Sequence, residues 1–239
     1  MAATVKVTAL VMAMLAMAVV GASDSNDVYS PCSDAKIQRS DGFTFGIVFS
    51  PSDSLFKDQV QLSPCDRQLS LAGTAQLSVF RPQVDEISLL SINTTAQFAP
   101  EMSGGYMVAF AGRKYAARSF PNFVANDTYT ITSFTLVLEF QKGTLQNLYW
   151  KKDGCAACSG KSNFVCLNNA DCAIKTSDCL HKGGSVDCSL GIQLAFSGTD
   201  KHLAVLNSWY EVSNLRQYSL YGLYSNLRDS LTAQYDSFF

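Results

Sequence analysis

Apolar residues recur at every second position through the first two-thirds of the chain. Phe43, Phe45, Ile47 and Phe49 alternate with smaller residues and stop at Ser50-Pro51-Ser52. Leu69 with Leu71, and Leu77 with Val79, repeat the pattern on either side of Ala72-Gly73-Thr74. Ile87 to Ile92 continues it, then Tyr106, Val108 and Phe110 behind Gly104-Gly105. Thr128 to Phe140 is the strongest run, with Ile131, Phe134, Leu136 and Leu138. Lys142-Gly143 turns it into Leu145 to Trp150. A period of two, broken by Gly, Pro, Asn and Ser, marks half-buried antiparallel strands. Many short strands in series predict a β-sandwich, with a barrel as the alternative.

The alternation lapses over about 153–188 and resumes at Leu190, Ile192, Leu194 and Phe196. Ser197-Gly198-Thr199-Asp200 then turns the chain into Leu203, Val205 and Leu206, as in a hairpin. The intervening segment therefore reads as an insertion between two strands. The period changes near the C-terminus. Leu220, Leu223, Tyr224, Leu227 and Leu231 share one face of an α-helix, with Ser213 or Asn214 as its cap. Gly222 inside that pattern costs about 1 kcal/mol against alanine. The helix must therefore gain its stability by packing on an open end or edge of the sheet. The expected architecture is mainly β: one antiparallel, sandwich-like domain over 23–239 with a C-terminal α-helix.

The N-terminus sets the compartment. Lys6 precedes a largely apolar run, Val7 to Val20, and Val20 and Ala22 occupy the −3 and −1 positions of a small-residue cleavage site. Residues 1–22 read as a signal peptide, because the run is shorter than the roughly 20 residues that span a bilayer. No membrane span is expected in the mature chain. Asn93-Thr94-Thr95 and Asn126-Asp127-Thr128 match the N-glycosylation acceptor, so both asparagines are expected at the surface. The formal net charge is −2 with no basic cluster, which gives no attraction to nucleic acid.

Six of the eight cysteines, Cys155, Cys158, Cys166, Cys172, Cys179 and Cys188, lie in the insertion. Cys32 and Cys65 lie outside it. An even count in an exported chain predicts four disulfides. Cys32 pairs with Cys65 by elimination, pinning a polar N-terminal arm. The other pairings stay open. Zinc is the rival for Cys155-Ala-Ala-Cys158, but the second C-x₂-C is missing. A thioredoxin-type centre requires a βαβ setting that these residues lack. No metal and no cofactor are expected.

Chemistry is sparse. Gly160-Lys161-Ser162 lacks the upstream glycine of a phosphate-binding loop and reads as a turn. His181 and His202 are the two histidines, both expected to face solvent, and no serine sits in G-x-S-x-G. Glu139 and Glu211 are the carboxylates to weigh for glycoside hydrolysis. No catalytic residue is assigned. Trp150, Trp209 and Tyr210, with Tyr149 and Tyr106, are the aromatic candidates for stacking against sugar rings.

Cys155-Ala-Ala-Cys158-Ser-Gly-Lys-Ser-Asn-Phe-Val-Cys166 and Phe196-Ser-Gly-Thr-Asp-Lys-His202, continuing through Asn207-Ser-Trp-Tyr210, resemble a family of plant secreted proteins without established activity. The resemblance implies an extracellular setting, apoplast or cell wall, and supplies no catalytic residues. The cysteine layout does not resemble that of expansins. The expected function is a non-enzymatic extracellular binding or structural protein, with cell-wall carbohydrate as the leading ligand. The alternatives are a secreted hydrolase of polysaccharide or ester bonds, and a protein-interaction or inhibitor module using the stapled loops around His181.

Overall fold

The computed structural model describes residues 24–114 and 117–208. The predicted signal segment and C-terminal helix lie outside the described residues, as do Trp209, Tyr210 and Glu211. The strands in chain order are β1 (Phe45–Ser50), β2 (Phe56–Lys57), β3 (Val60–Gln61), β4 (Gln76–Phe80), β5 (Ser88–Ile92), β6 (Tyr106–Phe110) and β7 (Asn122–Phe123). They continue as β8 (Tyr129–Ile131), β9 (Ser133–Gln141), β10 (Thr144–Lys151), β11 (Val165–Leu167), β12 (Asp171–Lys175), β13 (Leu190–Thr199) and β14 (Val205–Leu206). The fold is mainly β. One sheet has the order β4-β1-β6-β7, and a second has β10-β9-β13-β14 with β5 also on β13. A smaller sheet, β11-β12-β8, carries the cysteine-rich segment.

The inner faces of the two large sheets share one core. Phe45, Ile47 and Phe49 of β1 meet Leu136, Leu138 and Phe140 of β9 and Ile192, Leu194 and Phe196 of β13 in a single buried cluster. Each fully buried side chain of this size contributes about 1.5–3 kcal/mol. The opposite face of β1 is buried too. Val48 packs with Leu55, Cys65, Val108 and Phe110, and Leu71 covers them. Leu69 and Leu71 therefore form no strand. Successive turns, Asp66 N–H to Ser63 O, Leu69 N–H to Asp66 O and Ala75 N–H to Ala72 O, carry the chain across this face as a loop.

Two further expectations change. Leu77 and Val79 point outward from the edge strand β4 and are exposed. The pairing is also not wholly antiparallel. β13 runs parallel to β9 from Gly191↔Ser133 to Gly198↔Phe140. β9 is buried along nearly its whole length, a setting in which parallel neighbours are usually found. β10 returns on one side of β9 through a two-residue hairpin at Lys142-Gly143, both with positive φ. A parallel neighbour on the other side then needs a long crossover. The disulfide-rich segment is part of that crossover.

The four disulfides join Cys32–Cys65, Cys155–Cys166, Cys158–Cys172 and Cys179–Cys188. None of the cysteines is free. The sulfurs of Cys155, Cys158 and Cys172 lie within 4.8 Å of one another, as bonded atoms of two adjacent bridges. The Cys155-x-x-Cys158 pair is thus split between two disulfides rather than joined in one.

Candidate functional site

A cleft of about 540 Å³ opens where β6, β7 and β8 meet the β11–β12 hairpin. That volume falls within the ~300–1,000 Å³ of small-ligand sites. Tyr106, Phe123 and Tyr129 supply its aromatic wall, and Asn126, Lys152 and Asp171 its polar groups.

The backbone places each group. Tyr106 opens β6 opposite Phe123 of β7, and their rings meet edge to face at 5.7 Å. Gly105 permits this approach: at φ +78, a Cβ there would come within 2.1 Å of Ala125 O. Asn126 closes the turn into β8. Its Oδ1 accepts from the backbone N–H of Thr128 and of Tyr129, both at 2.8 Å, which is an Asx turn. Thr176 Oγ1 donates to Asn126 O at 2.7 Å and tethers that turn to the cysteine-rich segment. Asn168 and Asn169, at φ 52 and 55, form the tip of the β11–β12 hairpin, closed by Ala170 N–H to Leu167 O. Asparagine tolerates this left-handed conformation. The hairpin is held by two bridges, because Cys166 and Cys172 are register partners bonded to Cys155 and Cys158 respectively.

Lys152 ties the walls together. Its Nζ donates to Asn122 Oδ1 at 2.7 Å and to Asp171 Oδ2 at 2.8 Å. Asp171 balances the lysine charge, so the cleft is near neutral. Among the described residues lining it, Asp171 is the single carboxylate. An array of rings, amides and one neutralised ion pair suits a ligand with apolar C–H faces and many hydroxyls.

Of the site candidates singled out in the sequence, Tyr106 and Asn126 line this cleft. Trp150 is half-buried against the core, edge to face with Phe134 at 5.9 Å, and its Nε1–H donates to Ser119 Oγ at 2.9 Å. Glu139 accepts from Asn147 Nδ2 at 3.2 Å on the opposite face of β9 from Leu138 and Phe140. Asn93 and Asn126 are both exposed. His202 bonds Gln38 Oε1 at 3.2 Å. His181 corrects an expectation. Its side chain is buried, and its Nε2 lies 2.8 Å from Oε1 of the equally buried Glu101. Phe123, Tyr129, Lys152 and Asp171 were missed, since their strands give no sign of converging. The Asn168-Asn169 turn was the available signal.

Tyr149 offers a check on the β9–β10 face. Burial first, then the Glu139 charge and hydrogen bond, push its phenol up to about 12. The folded state holds Tyr149 neutral, so this contribution is present below the ordinary tyrosine value near ~10 and is lost as pH rises through about 12. In an alkaline absorbance titration Tyr149 ionises late, and Tyr149→Phe removes that late phase. A titration unaltered by the substitution would contradict the packing.

The described residues define a mainly β protein, stapled by four disulfides, with an aromatic and amide-lined cleft beside the stapled hairpin. No described helix is long and apolar enough to cross a membrane. The chain belongs to the family described as "Uncharacterised protein DDB_G0273449", a Dictyostelium gene designation, whose model matches residues 1–130 and 123–231. No curated protein and no solved structure matches it.

Proposed function

We propose that this chain is an exported, non-enzymatic β-sandwich protein that binds extracellular carbohydrate in the cleft between β6–β8 and the β11–β12 hairpin. The observation that carries the reading is the convergence of Tyr106, Phe123 and Tyr129 with Asn126 and the Lys152–Asp171 pair. Ring faces pack on the C–H faces of a pyranose, and the amides and Asp171 bond its hydroxyls. The charge balance at Lys152 favours a neutral sugar over an acidic one. Hydrolysis of a glycoside uses two carboxylates about 5–9.5 Å apart, and among the described residues the cleft lining offers Asp171 alone, held by Lys152. Four disulfides are compatible with an oxidising, extracellular compartment, and the signal-like N-terminus agrees with one. A cell-wall or matrix polysaccharide is the ligand class.

The test is retention of protein produced without N-glycans on a panel of insoluble matrix polysaccharides, with soluble product measured in parallel. Tyr129→Ala and Tyr106→Ala each lower retention at least ~tenfold, about 1.4 kcal/mol, as expected for aromatic anchors. Trp150→Phe leaves retention unchanged. Released product, or retention indifferent to both tyrosines, would overturn the proposal.

A further inference from the structure

Asn126 is both a wall of the cleft and the acceptor of the sequon Asn126-Asp127-Thr128. The Asx turn fixes how its amide is presented. Oδ1 faces the backbone N–H groups of Thr128 and Tyr129. The carboxamide is planar, so Nδ2 points away from the turn, and the residue is exposed. The Thr176 hydroxyl bond to Asn126 O holds the backbone in that position. A sugar on Nδ2 therefore starts at the cleft's own edge, within reach of rings suited to stack on it.

We infer that Asn126 carries an N-linked glycan whose innermost N-acetylglucosamine lies in the cleft against Tyr129 and Phe123, so that the protein's own sugar competes for the site. The inference rests on export and on the carbohydrate reading of the cleft. In the transfer, Nδ2 bonds to C1 of the sugar and loses a proton. The C1–O bond to a lipid-linked diphosphate donor breaks, and the diphosphate leaves with the bonding pair. A tethered sugar acts at an effective concentration of ~mM. Weak external ligands are then excluded, and removing the sequon opens the cleft to them.

Thr128→Ala removes the sequon while keeping Asn126, its turn and the backbone N–H of residue 128. Wild-type and Thr128→Ala proteins are secreted from a eukaryotic host. Glycopeptide mass spectrometry reads occupancy at Asn126, and hydrogen exchange reads the amides of residues 122–131 and 165–171. A third sample is wild type trimmed enzymatically to a single N-acetylglucosamine. The expected result is a modified Asn126. Cleft exchange is slow in both wild-type samples, at least tenfold faster in Thr128→Ala, and slowed again by added N,N′-diacetylchitobiose. An unmodified Asn126 overturns the inference, and so does exchange that is equal in Thr128→Ala and trimmed wild type. Retention of the Thr128→Ala protein on polysaccharide is scored separately. Retention with no exchange difference leaves the binding function standing and removes only the glycan's place in the cleft. Loss of both removes the function.

Discussion

Replacing Cys32 and Cys65 together by serine lowers the unfolding free energy by about 3–4 kcal/mol. The bridge closes a separation of 33 residues, the longest of the four, and so constrains the unfolded chain most. It also secures folded contacts. Cys65 is buried beside Val48, Leu55, Val108 and Phe110 on the outer face of β1 and β6, with Cys32 packed against them. The N-terminal arm then runs through Gly112 N–H to Pro31 O and Ile37 N–H to Gly143 O, which link it to both large sheets. Ser63 Oγ donates to Gly112 O at 2.7 Å beside the bridge. Urea unfolding of the purified variant measures the loss. A change under ~1 kcal/mol would mean that the arm is held by its hydrogen bonds alone.

Glu101→Ala is expected to cost about 2–3 kcal/mol, less than the ~3–5 kcal/mol of breaking a fully buried ion pair, because the Lys182 ammonium is partly exposed. Glu101 Oε1 lies 2.8 Å from His181 Nε2 and 3.2 Å from Lys182 Nζ, and both Glu101 and His181 side chains are 4% exposed. The contact joins the loop before Tyr106 to the Cys179–Cys188 loop, so it also steadies one wall of the cleft. Burial works to raise the Glu101 carboxyl. Its own backbone N–H, His181 and Lys182 outweigh that and hold it below the ordinary glutamate range. A depressed carboxylate stabilises the fold above its unfolded value near ~4.3, and the contribution is lost as pH falls below it. Asp24 and Asp200 are lowered as well, against opposing burial, by hydrogen bonds that include Asn26 N–H and Ala204 N–H respectively. Wild-type stability therefore declines under acid, and Glu101→Gln declines less steeply while starting lower. Parallel slopes would contradict the role given to Glu101.

The period-two pattern located the strands because each large sheet has one face in a shared core, and Phe45, Ile47 and Phe49 record that burial directly. The same pattern misread Leu77 and Val79. They lie on an edge strand whose apolar side chains face out, and periodicity carries no sign for which face is inward. The parallel β9–β13 ladder left a trace in the apolar run Phe134 to Phe140, but its partner lies beyond the cysteine-rich crossover. The even cysteine count led to four disulfides, and the compositional split led to Cys32–Cys65. Pairing within the segment depended on the β11–β12 register, which sequence spacing does not encode. His181 was placed outside because it lies beside Lys182-Gly183-Gly184 in a polar segment; Glu101, whose carboxylate meets it, is 80 residues away. The cleft was least legible of all. Tyr106, Phe123, Tyr129 and Asp171 belong to four different strands and Lys152 follows a fifth, and only the fold brings them together.

The most direct test of the account is an amide chemical-shift titration of isotope-labelled Thr128→Ala protein with soluble matrix oligosaccharides. Saturable shifts are expected at residues 105–107, 122–131 and 165–171, abolished by Tyr129→Ala, with the oligosaccharide recovered intact. Shifts centred elsewhere, or cleavage of the oligosaccharide during the titration, would contradict it.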